Sequence, residues 1–204
     1  MSRTSYHERV ARPRKFDEQD VLVAARGQFM ETGYHGTSVE DLSRVTGLSK
    51  GSLYGAFGDK ETLFQRIFQD YCAGSVEGAA AMLEGPEDRA LNRLRNWLKV
   101  PEGHADRHGC LLAKATAELA SENDDIAARS LATYETLLDY CRQLVEQAQR
   151  AGQVDPAADA AALGGLILTT QRGLEALAKA GLDADTMNRI ADAAVDSIAL
   201  NPAH

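Results

Sequence analysis

The sequence predicts an all-α protein of about nine helices, and three observations carry that prediction. The 204 residues include only five prolines and 6% aromatic residues, and alanine, leucine, glutamate and arginine are abundant, a composition that favours helices. Apolar residues recur every three or four positions along most of the chain, as they do on one face of a helix. No segment shows the alternation of β-branched and polar residues that is typical of strands.

The first two helices are predicted from their end signals and their apolar faces. Asp17 is a suitable N-cap for the first helix, and Gly33 stands where a C-cap glycine would. Thr37 or Ser38 can cap the second helix. The apolar faces of the two helices carry Val21, Ala24, Ala25, Phe29, Val39, Leu42 and Val45.

The interruption after the second helix lasts only three residues, Gly47-Leu48-Ser49. A short third helix is predicted from Lys50 to about Phe57, and a longer fourth helix begins at Lys60. Two helices joined by a three-residue turn that contains glycine have the geometry of a helix-turn-helix. In that motif the second helix enters the major groove of DNA, and the first crosses the phosphate backbone.

Five further helices are predicted beyond Gly85-Pro86. Their apolar periods cover about Leu91–Leu98, Cys110–Leu119, Asp124–Ala151, Asp159–Ala180 and Asp185–Leu200. The longest apolar run is far shorter than the roughly 20 residues that span a bilayer, so no membrane partner is expected.

Charge is distributed unevenly along the chain. Residues 1–70 hold ten basic and ten acidic residues, whereas the remainder holds twelve basic and twenty acidic ones, which accounts for the net charge of -8. Within residues 1–15, five basic residues face only Glu8. This asymmetry predicts a basic N-terminal arm that faces a polyanion, with a solvated tail as the alternative. Three cysteines and a polar N-terminus predict a cytoplasmic protein with reduced thiols.

The outward side chains of the predicted helix-turn-helix suit a DNA partner. Leu48 and Leu53 face inward, which leaves hydroxyl, ammonium and phenol groups to reach phosphates or base edges. Thr37 at a helix N-terminus can direct its amide and hydroxyl at a phosphate, and Lys60 can reach a neighbouring one. The residues predicted to contact DNA are Arg14, Thr37, Ser38, Ser49, Lys50, Gly51, Ser52, Tyr54 and Lys60.

Over about residues 16–64 the chain resembles the TetR family of repressors. The resemblance is carried by Ala25–Phe29 (ARGQF), Gly33-Tyr34, Thr37–Val39 (TSV), Gly47–Tyr54 (GLSKGSLY) and Phe57–Leu63 (FGDKETL). One departure is Gly55-Ala56, where the family often carries bulkier residues, and it would affect operator preference rather than the fold.

After the basic arm over residues 1–15, the resemblance implies a helix-turn-helix domain over 16–62 and a regulatory domain over 63–204 that binds a ligand and dimerises. The apolar, small-residue segment Ala160–Ile167 and the last helix suit a homodimer interface. A two-fold dimer would place two recognition helices about 34 Å apart, so a near-palindromic double-stranded operator is expected. The resemblance implies release by a small-molecule or electrophile inducer, and repression as the expected sign of regulation with activation as the alternative.

The stretch from Gly109 to Leu119 is the most informative part of the C-terminal region. Cys110 is placed in the first turn of its helix, where the backbone dipole favours a thiolate, and Lys114 follows on the same face. The stretch also resembles TetR-family repressors that sense electrophiles and oxidants through a cysteine. A buried, inert cysteine that packs in the core or lines a pocket is the alternative for Cys110. Cys72 and Cys141 lie on apolar helical faces and are predicted to be core residues. The predicted inducer or sensor site comprises Cys110, Lys114, Trp97, Tyr134 and Gln171.

Three other functions compete with a ligand-controlled regulator. His104, Asp106, His108 and Cys110 match no ordinary zinc-ligand spacing, so neither a metal nor a cofactor is expected. A thiol-dependent peroxidase or reductase using Cys110 would need a resolving cysteine or a cofactor loop nearby, and the sequence offers neither, so an enzyme is not expected. An architectural DNA-binding protein without an inducer is disfavoured by the acidic body.

Overall fold

A computed structural model of the chain describes residues 16–99 and 109–200. Within these two stretches the chain forms nine α-helices, and no strand is present. The helices are α1 (Glu18–Thr32), α2 (Val39–Thr46), α3 (Lys50–Phe57), α4 (Lys60–Ala80), α5 (Ala90–Leu98), α6 (Leu111–Leu119), α7 (Asp124–Arg150), α8 (Ala160–Ala180) and α9 (Ala184–Asp196). The predicted basic arm with Arg14, and the group of His104, Asp106 and His108, lie outside the described residues. The all-α prediction is confirmed.

Polar side chains fix where most of these helices begin. Seven N-cap side chains accept a hydrogen bond from a backbone N–H in the first turn: Asp17, Ser38, Ser49, Asp59, Asn123, Asp159 and Asp183. Of the two candidates for α2, Ser38 is therefore the cap. The last helix ends four residues before the predicted Leu200, because the chain turns at Asp196 and the Leu200 amide donates to Gln153 O.

The first three helices pack around the N-terminal half of α4. Phe29 of α1 and Phe64 of α4 meet edge to face, with ring centroids 5.0 Å apart, and both rings are buried. Leu42 and Leu53 close this core from α2 and α3. α4 then continues into the larger part of the molecule, where Cys72 is buried, so the predicted boundary between residues 62 and 63 falls inside a continuous helix.

The larger part is built around the antiparallel pair α7 and α8. Cys141, Leu144 and Ile167 are fully buried between helices of this part. Gly164 brings the two helices close: a Cβ added there would lie 2.7 Å from the backbone nitrogen of Arg142. None of the described helices is both long enough and apolar enough to cross a membrane.

Candidate DNA-contacting surface and the contacts that hold it

The turn between α2 and α3 is tight and depends on one glycine. Gly47 adopts the left-handed conformation, with φ 68°, which favours glycine over residues with a Cβ. Ser49 then caps α3: its hydroxyl accepts from Ser52 N at 3.2 Å and lies 2.9 Å from the Ser52 hydroxyl. The three-residue interruption thus becomes the turn of a helix-turn-helix.

The outer face of α3 is open to solvent along its length. Leu53 and Phe57 point inward and are buried, whereas Ser49, Lys50, Gly51, Ser52 and Tyr54 are all exposed. A Cβ added at Gly51 would meet nothing within 4 Å, so packing within the protein does not require glycine here. The absence of a side chain leaves the backbone of α3 accessible at this position. The five residues from Ser49 to Tyr54 named here form the α3 outer face. It can offer hydroxyls, one ammonium and one phenol to a partner.

Lys50 is held only loosely on this face. Its Nζ lies 3.8 Å from Glu40 Oε1 and 5.8 Å from the centre of the Tyr54 ring. An exposed ion pair of this length contributes about 0–1 kcal/mol, so a phosphate can readily replace Glu40 as its partner.

Two residues predicted to contact DNA have other partners in the fold. Thr37 is 1% exposed, and its hydroxyl donates to Gly33 O at 2.6 Å and lies 2.8 Å from Thr32 Oγ1. Lys60 Nζ donates to Tyr34 O and Thr37 O, at 3.0 Å each, and sits 4.1 Å from the centre of the Tyr34 ring. The placement differs from the expectation, because both side chains hold the loop between α1 and α2 rather than face outward.

Ser38 remains exposed and closes a capping box. Its hydroxyl accepts from Asp41 N at 3.0 Å, and its own N–H donates to Asp41 Oδ2 at the same distance. The hydrogen bond from the Ser38 hydroxyl, helped by Arg44, lowers the pKa of Asp41 to about 2. This box fixes the N-terminus of α2, two residues before the Glu40 that lies 3.8 Å from Lys50 of the α3 outer face.

The capping box predicts an acid-dependent stability difference. A carboxyl group whose pKa is depressed in the folded state stabilises the protein above its unfolded pKa of about 3.9, and this stability is lost as the pH falls through the folded value. The variant Asp41→Asn should therefore melt below the wild type at pH 7, and the gap should narrow from pH of about 5 towards 2. Thermal melts by circular dichroism measure this. Asp70→Asn, at an exposed position on α4, is the control; a pH-independent gap for Asp41→Asn would contradict the assignment.

A second set of contacts to the same loop comes from α6. Glu118 Oε2 accepts from Tyr34 N at 2.7 Å and from His35 N at 3.2 Å. One turn earlier, Lys114 Nζ donates to Met30 O at 2.6 Å and to Glu31 O at 3.0 Å. Lys114 and Glu118 together form the α6 clamp. It satisfies carbonyls at the C-terminus of α1 and the amides that follow, all of which lack partners within a helix.

The chain at Gly33 is shaped to admit the clamp. Gly33 has φ 81°, and a Cβ added there would overlap the Glu118 carboxylate. Burial, together with the neighbouring Lys179, lowers the pKa of Lys114 to about 8. The sequence pattern pairs Lys114 with Cys110 and does not single out Glu118. The spacing of four residues between Lys114 and Glu118, which puts both on one face of a helix, is the one signal that links these two residues.

Cys110 lies at the N-terminal end of the same helix but has different partners from those predicted. It is the N-cap of α6 rather than a residue of its first turn. Arg172 Nη1 of α8 lies 2.8 Å from Cys110 Sγ, and the Tyr71 hydroxyl of α4 lies 3.6 Å from it. Burial, with a smaller contribution from Glu175, raises the pKa of the thiol despite the opposing effect of Arg172. The expected thiolate-favouring environment is therefore wrong for this fold.

The other predicted sensor residues divide into two groups. Gln171 joins the cluster around Cys110: its Nε2 donates to Glu175 Oε1 at 3.0 Å, and its Oε1 accepts from Arg172. Tyr134 is half-buried on α7, with burial raising its pKa and the Cys110 thiol contributing. Trp97 packs against the core from α5. Arg172 and Glu175 were missed by the sequence interpretation, because an Arg and a Glu three residues apart look like an ordinary helix-surface pair.

The other two cysteines, Cys72 and Cys141, are buried, as predicted. Across the two described stretches no group of three or more His, Cys, Asp or Glu side chains is placed to hold a metal ion.

Family models match both parts of the molecule. The model described as "Bacterial regulatory proteins, tetR family" matches residues 21–67, which run from α1 into α4. The model described as "Tetracyclin repressor-like, C-terminal domain" matches residues 86–194, more than half of the chain.

Individual proteins agree with these models. The chain is 26% identical over 126 residues to the HTH-type transcriptional repressor DhaR of Mycobacterium sp. (strain GP1), a match that covers 62% of this chain and 64% of that protein. The chain thus spans less than two thirds of that repressor. It is 24% identical over 184 residues to the HTH-type transcriptional repressor ComR of Escherichia coli (strain K12), with 88% of each chain covered.

A solved structure shares the fold over nearly the whole length. It is a cysteine mutant of the TetR family transcriptional regulator CifR, complexed with 26-bp double-strand operator DNA. The TM-score is 0.75 at 22% identity, and the match covers 92% of this chain and 99% of the other. At this identity the likeness shows the fold, and the bound DNA is a property of that protein.

Proposed function

The chain belongs to the tetR family of bacterial regulatory proteins, and we propose that it is a transcriptional repressor that binds operator DNA through α3. The observation that carries the proposal is the α3 outer face, which is exposed from Ser49 to Tyr54 while the opposite face anchors the helix. Tyr54 is 40% exposed although it is aromatic, as a side chain that meets a base or sugar would be. Ser38, exposed at the N-terminus of α2, is proposed as a further contact. Arg14, on the basic arm, stays a predicted phosphate contact.

We propose that the repressor is a homodimer formed through α8 and α9. The solvent side of α8 carries a stripe of small and apolar residues, Ala162, Leu166, Thr169, Gly173 and Leu177. Leu166 is 46% exposed and Leu177 41%, and Ile190 of α9 is 37% exposed. Gly164, which the sequence interpretation included in this interface, packs against α7 inside the protomer instead. A two-fold axis through the stripe would pair it with its own copy and place two copies of α3 for a near-palindromic operator.

Control by a small molecule is proposed to run through α6. The helix begins at Cys110, which is buried beside the partly exposed Arg172, and carries the α6 clamp on its next turns. A ligand that shifts the start of α6 therefore moves the loop that leads into α2 and α3. A ligand with equal affinity for the two arrangements would shift nothing, so the inducer must prefer the released one. This proposal includes the division between a helix-turn-helix domain that ends at residue 62 and a regulatory domain that begins at residue 63. Because α4 runs through both domains, it is a second mechanical link between them.

Salt dependence tests the role of Lys50. If its ammonium contacts a phosphate, Lys50→Gln should weaken operator binding at low salt and reduce the slope of log K against log salt concentration by about one for each protomer bound. Fluorescence anisotropy at several salt concentrations measures the slope. Lys99→Gln removes the same charge just after α5, where Lys99 pairs with Asp192 at 2.9 Å, and should leave the slope unchanged. Equal slopes for wild type and Lys50→Gln would remove Lys50 from the interface.

A further inference from the structure

Arg172 is a charged side chain that is largely covered by neighbouring helices. It projects from α8 towards α4 and the start of α6 and is 21% exposed. Long charged side chains seldom occupy such positions without full pairing. The groups around it are Cys110, Tyr71, Glu175 and Gln171.

The guanidinium is incompletely matched by these partners. Nη1 lies 3.1 Å from Glu175 Oε2 and 2.8 Å from Cys110 Sγ, and Nη2 donates to Gln171. The Nε–H is buried and has no hydrogen-bond partner in the described part of the chain. A buried donor without an acceptor is unfavourable, so the cluster would be more stable with another acceptor present.

Two donors converge on a weak acceptor at Cys110. The Tyr71 hydroxyl and Arg172 Nη1 both point at the Cys110 sulfur, and a thiol sulfur accepts hydrogen bonds poorly. Burial raises the pKa of Tyr71 well above its usual range, so the phenol keeps its proton and remains a donor. A carboxylate oxygen in the place of the sulfur would receive both bonds in their charge-assisted form.

We propose that the Arg172 cluster is a binding site for a small organic carboxylate, which displaces the Cys110 thiol and pairs with Arg172 and Tyr71. Because Glu175 already faces the guanidinium, a single negative charge suits the site better than the two charges of a phosphate monoester. Displacing Cys110 moves the N-cap of α6. The proposed inducer coupling therefore starts at this point, and in that respect the inference rests on the proposed function.

Two alkylating reagents that differ in one group test the site. Iodoacetate carries a carboxylate, and iodoacetamide carries an amide of nearly the same size. In both reactions the Cys110 thiolate attacks the methylene carbon, an S–C bond forms, the C–I bond breaks, iodide leaves, and the thiol proton has gone to solvent. The thiolate fraction enters both rates equally, so the ratio of the two rates reports recognition of the carboxylate alone.

The rates are measured by mass spectrometry of Cys110 peptides from the folded full-length protein, relative to N-acetylcysteine. The wild type should show a ratio of iodoacetate to iodoacetamide rates at least about tenfold above that of N-acetylcysteine, since charge-assisted pairing favours the anion. Arg172→Gln should abolish the preference, and Glu175→Gln should increase it by removing the competing carboxylate. Arg189→Gln, at an exposed position of α9, is the matched control and should retain the wild-type ratio.

A wild-type ratio equal to that of N-acetylcysteine, or no reaction of Cys110 with either reagent, would overturn the site. A second measurement uses wild type alone, in case Arg172→Gln does not fold: sodium propionate should slow iodoacetamide alkylation of Cys110, and propionamide should not. Equal effects of the two additives would also overturn it. Operator binding, measured separately without reagent, distinguishes the two proposals. DNA binding without carboxylate preference refutes the site alone, and carboxylate preference without DNA binding refutes the repressor.

Discussion

Replacing Glu118 with alanine is expected to lower the free energy of unfolding by about 1–3 kcal/mol and to weaken operator binding. The Tyr34 and His35 amides would lose the carboxylate that accepts from them at 2.7 and 3.2 Å. Lys114 would keep its hold on the end of α1, but the loop that enters α2 would no longer be fixed to α6. The helix-turn-helix would then sample orientations that do not match the spacing of two operator half-sites.

Urea denaturation and fluorescence anisotropy with operator DNA measure the two effects of Glu118→Ala. Glu122→Ala is the matched control, because Glu122 lies 3.7 Å from His35 but both side chains are exposed, so this pair contributes little. Glu118→Gln keeps an acceptor oxygen and should fall between Glu118→Ala and the wild type. If Glu118→Ala behaved like Glu122→Ala in both assays, the α6 clamp would not join the two parts of the molecule.

Replacing Gly164 with alanine is expected to be the most destabilising of the small substitutions in α8. The new Cβ would lie 2.7 Å from the Arg142 nitrogen and 3.0 Å from the Cys141 carbonyl carbon, and backbone atoms of a helix cannot move aside independently. α7 and α8 would have to separate, at a cost of about 1–3 kcal/mol.

The adjacent glycine provides the control. A Cβ at Gly165 would meet only Leu138 Cδ2, at 3.9 Å, which is an ordinary contact. Gly165→Ala should therefore be neutral or stabilising by up to about 1 kcal/mol through helix propensity. Both variants are compared by urea denaturation at one protein concentration, because dimerisation contributes to apparent stability. Equal stability of the two variants would show that the helices do not approach each other as closely as described.

The helices could be predicted from sequence because their signals are local. Asp17, Ser49 and Asp159 mark helix starts by their side-chain chemistry, and the apolar period supplies the buried faces. The helix-turn-helix was equally accessible, since its turn and the α3 outer face lie within eight consecutive residues. The positions that faced solvent in the prediction, from Ser49 to Tyr54, do so in the structure.

The contacts that join the two parts could not be predicted in this way. Glu118 and Tyr34 are 84 positions apart, and no local pattern states which helix meets which loop. The sequence predicts Thr37 and Lys60 as DNA contacts, because a hydroxyl or an ammonium beside a helix start suits a phosphate as well as it suits a partner within the protein. Only the tertiary fold shows that Lys60 binds the carbonyl oxygens of Tyr34 and Thr37.

The prediction for Cys110 failed for a related reason. The helix dipole and Lys114 were expected to favour its thiolate, but burial raises the thiol pKa. Lys114 is directed away, to the end of α1. Arg172, which does contact the sulfur, is 62 positions distant and could not be paired with it from the sequence.

The central claim is that α3 recognises operator DNA, and sequence-selective binding through its outer face tests that claim most directly. We would titrate full-length protein into a labelled duplex from upstream of its own gene, with a shuffled duplex of the same composition as competitor. We expect saturable binding by an even number of protomers that resists the competitor, and loss of that selectivity in Tyr54→Ala. Equal affinity for both duplexes, or wild-type selectivity in Tyr54→Ala, would contradict it.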